Sequence, residues 1–376
     1  DILILGAGRM GQAIVFDLSV FSKFKNITIA DNLKKNLDSA KNILKDKNIK
    51  YTLLDVKNKD KTKELFLKND IVISAIPYHF NYYLTEIAID TNTNFLDLGG
   101  NNNIVEKQLK LNKKAKEKKL IIIPDSGLAP GLVSVITKDV IDFFDSIDYV
   151  KIRVGGLPLK PIPPFNYQLV FSVNGLINEY VEDAIVLDNK KILLKDSMTD
   201  LEEINFPYPF GKMEAFLTSG GCSTLPYTFR YIIKYLDYKT IRYKGHCNMI
   251  KPILNLGFGS EKEIIIDNKK IIPRRVLIKL LREKIPIKGQ DVVLLKVFSK
   301  GIKNSKKIRL TYQMIDYFDS DNNISAMMRT TGYPVSVIAQ MIEKKQIKKF
   351  GVLTSENCIP PKLFFKELEL RNIIIN

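Results

Sequence analysis

A chain of 376 residues exceeds what one compact core usually organises, so two domains are expected. Its 45% hydrophobic and 26% charged residues form an ordinary globular balance that excludes disorder as the default, and no apolar run reaches the roughly 18 residues needed to cross a bilayer. A net charge of +17 raises nucleic-acid binding, but the excess is mostly Lys spread along the whole length, without an arginine-rich arm or aromatic-interleaved strands, so it reads as solvated helix faces with no nucleic-acid partner.

Cys222, Cys247 and Cys358 are odd in number and widely spaced, which gives neither a disulfide framework nor a CxxC metal pair. No metal site is expected, and a reducing compartment fits. The chain opens on strand-like Ile2–Leu5 without a signal-peptide pattern, so a cytoplasmic location is the expectation.

Up to about Asp125, short apolar runs at 2–5, 27–30, 51–54, 71–75, 95–98 and 120–123 alternate with amphipathic stretches at 10–18, 34–44 and 107–118. Alternation of this kind predicts βαβ units and an α/β fold, a Rossmann doubly wound parallel sheet. Beyond Gly131 the texture changes: Pro158, Pro161, Pro163 and Pro164 crowd one stretch, and β-rich segments follow at 151–154, 184–187 and 191–194. Asp188-Asn189-Lys190 reads as a hairpin turn, residues 292–300 and 307–316 as paired strands, and 334–343 as a helix. A second, α+β domain is implied.

Gly6-Ala7-Gly8-Arg9-Met10-Gly11 follows the first strand directly and leads into the helical run 12–16. That setting makes it a dinucleotide fingerprint: Gly6 for the tight turn, Gly8 for backbone approach to the pyrophosphate, and Gly11 for helix-on-strand packing, with Arg9 and Met10 opening the helix. The helix N-terminus offers amides and partial positive charge to phosphates. Asp31 ends the second strand, where an acid accepts from the ribose hydroxyls and repels a 2′-phosphate, so NAD is expected over NADP; nearby Lys34 and Lys35 soften that preference. Asp55 and Val56 at the third strand's end are placed beside the adenine, and Ala75, Ile76 and Pro77 at the fourth face the same crevice. The turns 97–101 and 124–127 leave the fifth and sixth strands on that side.

The segment Asp125-Ser126-Gly127-Leu128-Ala129-Pro130-Gly131 resembles the saccharopine dehydrogenase superfamily, and within it the lysine 6-dehydrogenase branch. Gly155-Gly156-Leu157-Pro158, Pro163-Pro164-Phe165-Asn166-Tyr167, Phe171-Ser172-Val173-Asn174-Gly175 with Glu179-Tyr180, and the segments 214–221, 238–246, 331–334 and the tail with Pro360-Pro361 and Phe364 carry the same likeness over nearly the whole chain. The resemblance implies a Rossmann domain over 1–126 completed by 327–376, and an α+β domain over 127–326 that shapes the substrate site and a homodimer or higher homo-oligomer contact. It also implies NAD(P)-linked chemistry at a carbon bearing nitrogen.

In the lysine 6-dehydrogenase reading, the ε-amine carbon of L-lysine is oxidised with NAD to an imine, which water splits to ammonia and 2-aminoadipate 6-semialdehyde, and this cyclises to piperideine-6-carboxylate. An ammonium cannot surrender hydride until it loses a proton, so a base is required. His246 in the resembling segment, His79 after the fourth strand, and Asp125 are the candidates, with Tyr167 as a further catalytic group. Asp125 reads equally well as a helix N-cap for the run beginning at Leu128. Arg242 is expected to fork a substrate carboxylate with Lys239 reinforcing it, and Asn166 and Glu179 complete the polar set. Two other readings stay open: imine reduction joining an amine to a carbonyl compound, as in saccharopine or carboxynorspermidine formation, and a non-catalytic NAD-binding regulator.

Overall fold

The computed structural model describes residues 1–44, 48–287 and 289–376. The chain forms two compact units, Asp1–Asp142 with Met328–Ile374, and Phe143–Met327 with Ile375–Asn376. The first unit thus includes all but the last residue of the helix Leu132–Phe143.

In the first unit the strands β1 (Ile2–Leu5), β2 (Ile27–Asp31), β3 (Ile49–Leu53), β4 (Ile71–Ser74), β5 (Asn94–Asp97) and β6 (Ile121–Ile123) pair in parallel, with Gly351–Val352 added beside β6. The order is Gly351–Val352, β6, β5, β4, β1, β2, β3, the doubly wound arrangement. β1 and β4 are buried along their whole length, which is why they read as continuous apolar runs rather than alternating ones. Helices join successive strands, as a parallel pair requires a crossover.

Two helices differ from expectation. The stretch 107–118 is not one helix but Asn102–Leu109 followed by Asn112–Glu117. The Asn101 side chain accepts from the Ile104 amide and starts the first piece earlier, while Leu111 turns into the core at the break. The helix expected from Pro334 begins at Ala326 and runs to Glu343. Its start is set by Asp291, whose two carboxylate oxygens accept from the Ala326 amide at 2.7 Å and the Met327 amide at 3.0 Å. A cap from a distant strand leaves no local signal, so the proline, normally a helix-opening residue, misplaces the boundary.

In the second unit the strands are β7 (Ser146–Pro158), β8 (Ala184–Asp188), β9 (Lys191–Lys195), β10 (Glu202–Phe206), β11 (Gly211–Leu217), β12 (Ile233–Tyr243), β13 (Ile264–Ile266), β14 (Lys269–Ile271), β15 (Asp291–Lys303) and β16 (Lys306–Tyr317). One mixed sheet runs β10, β11, β12, β7, β15, β16; β8 pairs the early part of β12 and β9 pairs β8, while β13 and β14 form a separate hairpin. β12 and β7 are parallel and the other neighbours antiparallel. The β8–β9 turn places Asn189 and Lys190 at φ 48° and 66°, the two left-handed positions of a tight hairpin. One sheet face packs Ile204, Met213, Ala215 and Ile241; the other packs Phe216 against Tyr167, Tyr180 and the helix carrying Cys247.

Within the first unit the C-terminal segment is fastened to the helix Arg9–Phe21 by a fully buried ion pair. Arg371 Nε donates to Asp17 Oδ1 at 2.6 Å, and Ser336 Oγ donates to Asp17 Oδ2 at 2.6 Å. Removing one member of a buried pair leaves an uncompensated charge, so Arg371→Ala is expected to lower the unfolding free energy by about 3–5 kcal/mol in denaturant titration. Asp17→Leu combined with Arg371→Leu should recover most of that loss; an Arg371→Ala protein as stable as the parent would contradict it.

Candidate functional site

The glycine turn sits where β1 hands over to the helix Arg9–Phe21. Gly6 has φ 103°, a left-handed value, and a Cβ there would lie 2.8 Å from the Ala75 carbonyl oxygen. A Cβ on Gly11 would lie 1.8 Å from the Gly6 carbonyl oxygen, so only glycine lets the helix pack this closely. Gly8 differs: nothing lies within 4 Å of its Cβ direction, so open space stands before the backbone, as close approach of a pyrophosphate would require. Gly8 is exposed, Arg9 and Met10 are half-buried, and no side chain caps the helix at Gly8. A bound anion would meet the positive end of that helix.

Asp31 does more than end β2. One carboxylate oxygen accepts from the Ala7 amide at 2.8 Å, and the other accepts from the Leu33 amide at 2.8 Å and the Asn36 side chain at 3.1 Å. The acid therefore braces the glycine turn and remains half-exposed. Asp55 is exposed, with Oδ1 accepting from the Lys57 amide. Val56, beside it, is 8% exposed and packs in the first unit's apolar core, not out toward solvent as Asp55 does. Ala75 and Ile76 are half-buried and Pro77 exposed at the end of β4. His79 is exposed on a short 3-10 turn, its ring 4.2 Å from that of Phe80.

Asp125 is buried at φ 56°, an uncommon conformation for a residue with a side chain. Its N-cap reading is not what the fold uses, because the following helix begins only at Leu132. Its amide instead donates to Asp97 Oδ1, which also accepts from the Gly99 amide at 2.8 Å, while Gln108 donates to Asp97 Oδ2 at 2.7 Å. Burial pushes the Asp97 carboxyl up to about 6 against these hydrogen bonds. Sequence reasoning placed Asp97 in a turn but missed it as the group stitching the β5 and β6 exits together.

In the second unit the residues Tyr167, Glu179, Tyr180, Arg242 and His246 converge. Arg242 projects from β12 and is 2% exposed; its Nε donates to the Tyr180 hydroxyl at 2.8 Å and Nη1 to the Ile241 carbonyl at 2.9 Å. Its guanidinium carbon lies 4.8 Å from the Tyr167 ring centre, within cation–π range, and Nη2 is 3.8 Å from Glu179 Oε2. The Glu179 side chain is 30% exposed; desolvation pushes its carboxyl up to about 7, with Arg242 pulling the other way. Asn166, at φ 53°, immediately precedes Tyr167 in the loop after Pro164. Tyr180 is the hub the sequence reading left without a role; its only signal was its place beside Glu179.

Two expectations are corrected here. Side chains alternate along a strand, so Lys239 and Arg242, three residues apart on β12, face opposite sides of the sheet. Lys239 donates to Glu202 at 3.1 Å and to the Asp200 carbonyl, within a buried cluster in which Arg153 forks Asp237 at 2.8 and 3.0 Å, and it does not reinforce Arg242. His246 is fully buried with both ring nitrogens engaged: Nδ1 with the Phe165 carbonyl at 2.8 Å and Nε2 with the Tyr180 hydroxyl at 2.9 Å. Burial and then the charge on Arg242 lower its proton affinity to about 3, so it is neutral near pH 7 and a weak proton acceptor. Glu214 holds it in place by accepting from the Gly245 and Cys247 amides at the start of the helix His246–Ile253. Among the described residues no group of three or more His, Cys, Asp or Glu is arranged to hold a metal ion.

A doubly wound sheet with this glycine turn, joined to a mixed-sheet unit, defines a Rossmann-type dinucleotide-binding protein. Residues 2–123 match the model of the saccharopine dehydrogenase NADP binding domain and residues 127–374 that of the saccharopine dehydrogenase C-terminal domain, so the chain belongs to the saccharopine dehydrogenase family. Saccharopine dehydrogenase (NADP(+), L-glutamate-forming) of Saccharomyces cerevisiae is 24% identical over 293 residues, covering 76% of this chain and 64% of that protein. Mitochondrial alpha-aminoadipic semialdehyde synthase of Bos taurus is 24% identical over 277 residues, covering 68% of this chain and 28% of that protein. The match thus spans less than two thirds of either relative. Among solved structures, apo saccharopine dehydrogenase (L-Glu forming) from Saccharomyces cerevisiae superposes with a TM-score of 0.81 at 20% identity, over 100% of this chain and 98% of that one. Homospermidine synthase from Legionella pneumophila in complex with NAD has a TM-score of 0.69 at 14% identity, over 100% and 90%. These two likenesses establish the shared fold. Among the described residues no helix is long and apolar enough to cross a membrane.

The buried imidazole has a consequence for stability. Its proton affinity falls from 6.5 to about 3 on folding, so the stability it contributes is present above pH 6.5 and is lost as the pH falls toward 3. Between pH 7 and pH 5 the stability advantage of the parent over His246→Gln is expected to shrink by about 2 kcal/mol, at about 1.4 kcal/mol per pH unit below 6.5. Equal differences at both pH values in urea titrations would show that the imidazole is not held neutral.

Proposed function

We propose that this chain is a nicotinamide-dinucleotide-dependent oxidoreductase acting on an amino-acid substrate at a carbon bearing nitrogen. Two features support this, one in each unit: an open glycine turn braced by Asp31, and a carboxyl, Glu179, set 3.8 Å from the buried Arg242 guanidinium and raised by desolvation toward neutrality, where it suits acceptance of a proton. Gly6, Gly8, Arg9, Met10, Gly11 and Asp31 would hold the dinucleotide, with Asp55, Ala75, Ile76 and Pro77 lining the strand exits. When bound, it supplies the acceptor for the hydride that leaves the substrate carbon.

The chain's own part is proton handling and charge recognition. Glu179 takes the proton from the substrate ammonium so that the nitrogen lone pair can expel the hydride; water then splits the resulting iminium to a carbonyl and an ammonium group, and the proton taken by Glu179 is released to solvent. Arg242 holds negative charge at that place, and Tyr167 fixes the guanidinium plane. Asp125 and His79, at the exits of the first unit's sheet, are proposed as the polar groups of the nicotinamide end; Asn166 is proposed to contact substrate. The named relatives favour saccharopine as the first substrate to test. Oxidative deamination of the L-lysine ε-amine is the second reading, favoured by Arg242 being the guanidinium within reach of Glu179, which suits a single carboxylate. NAD is the proposed cofactor because Asp31 would repel a 2′-phosphate, although the yeast relative is named for NADP(+).

NADH and NADPH formation, followed by absorbance with saccharopine, L-lysine, ornithine and polyamines, tests this directly. Turnover is expected with saccharopine or L-lysine, with kcat/KM rising as the pH passes upward through about 7 and falling by about 10²–10⁴ in Glu179→Gln. No turnover with any amine and either dinucleotide, alongside intact binding, would leave a non-catalytic dinucleotide binder. Separately, Asp31→Ala should weaken NAD by at least about tenfold more than NADP in calorimetry, the size of one lost charge-assisted contact. An unchanged ratio would remove the ribose assignment.

A further inference from the structure

The hydrogen bonds around Arg242 have only one consistent polarity. A guanidinium can only donate, so the Tyr180 oxygen accepts from Arg242 Nε at 2.8 Å and its own proton must point elsewhere. The partner in that direction is His246 Nε2 at 2.9 Å, which therefore accepts; Nδ1 carries the ring proton and donates it to the Phe165 carbonyl at 2.8 Å. Charge and hydrogen bond thus run in one line, from Arg242 through Tyr180 and His246 to a backbone carbonyl. Arg242, Tyr180 and His246 are all buried, and Phe216 stacks on the imidazole with rings 9° from parallel.

We infer that Tyr180 and His246 are positioning residues: by taking the Nε donor of Arg242 they hold its guanidinium 3.8 Å from Glu179 instead of in direct contact, and so set how readily Glu179 binds a proton. The distance decides the matter. A guanidinium in direct hydrogen-bonded contact with Glu179 would keep that carboxyl firmly ionised, and an ionised carboxylate tied to its own cation cannot cycle a proton at neutral pH. A buried guanidinium held one step away, its Nε satisfied by a neutral hydroxyl, leaves the carboxyl at about 7. Among the described residues, the other titratable groups that interact electrostatically with Glu179 are Tyr180 on its own helix and Tyr238 on β12; elsewhere on the packed helices Glu182 faces Arg274, which is bound to the Asn174 carbonyl and to Asn178. Arg274 is thereby occupied, and Tyr238 is pushed up by burial and stays neutral.

This inference rests on the reading of Glu179 as the proton acceptor, yet its test needs no turnover. Glutamate labelled with carbon-13 at the carboxyl, in the full chain, reports the titration of Glu179 directly, with Glu179→Gln assigning the signal. In Tyr180→Phe the Arg242 Nε loses its acceptor and closes on Glu179, so the midpoint near 7 is expected to fall by at least about one pH unit, the size that an adjacent cation imposes. His246→Phe fills the same space but frees the Tyr180 proton to donate to Glu179, and should move the midpoint the same way. His246→Gln, which restores an acceptor for Tyr180, should return it toward 7. Midpoints unchanged in both Tyr180→Phe and His246→Phe would overturn the inference whatever the substrate proves to be. If only one of the two variants folds, its midpoint decides. A shifted midpoint together with full amine oxidation in Glu179→Gln would instead uphold the positioning and refute Glu179 as the base.

Discussion

The contact on which the dinucleotide-binding unit depends is that between Gly11 and the carbonyl of Gly6. It brings the helix Arg9–Phe21 so close to β1 that no side chain fits, and this closeness aims the helix N-terminus at the space before Gly8. The bond from the Ala7 amide to Asp31 then locks the turn to the end of β2. That carboxylate also accepts from the Leu33 amide and the Asn36 side chain, so one charge fixes both the turn and the start of the segment after β2. The same helix is held from behind by Asp17, whose bond to Arg371 draws the last residues of the chain onto it. Chain ends far apart in sequence therefore support one phosphate-facing turn.

The second unit works by separating charges with the strand's alternation. β12 places Arg242 on one side with Tyr180, His246 and Glu179, and Lys239 on the other with Glu202, Asp237 and Arg153. One side is a closed ionic cluster whose members neutralise each other. The other keeps a guanidinium only loosely paired with a carboxyl that is near its midpoint at neutral pH. Buried ion pairs are poor sources of net stability. A site that leaves one such pair stretched is better suited to proton exchange than to holding the fold.

His246 illustrates how burial changes a role. Exposed, an imidazole titrates near neutrality and invites a catalytic assignment. Here the low dielectric of its surroundings and the nearby guanidinium hold it neutral, and its value lies in directional hydrogen bonding. Glu179, by contrast, is a carboxyl whose ordinary range lies well below neutrality and which desolvation raises toward it.

Local chemistry made much of the first unit legible: the glycine spacing, the acid ending β2, and the apolar runs of a parallel sheet are all properties of adjacent residues with a fixed period. The β8–β9 hairpin and the β15–β16 pair were readable for the same reason. What tertiary structure alone decided were relations between distant residues. Asp291 starts at Ala326 a helix that local sequence begins at Pro334; Val56 turns into the core; Asp97 ties two loops; and Tyr180 joins Arg242 to His246. Proton affinities belong to this second group, since they depend on what surrounds a carboxyl or an imidazole once water is excluded, and no spacing along the chain encodes that.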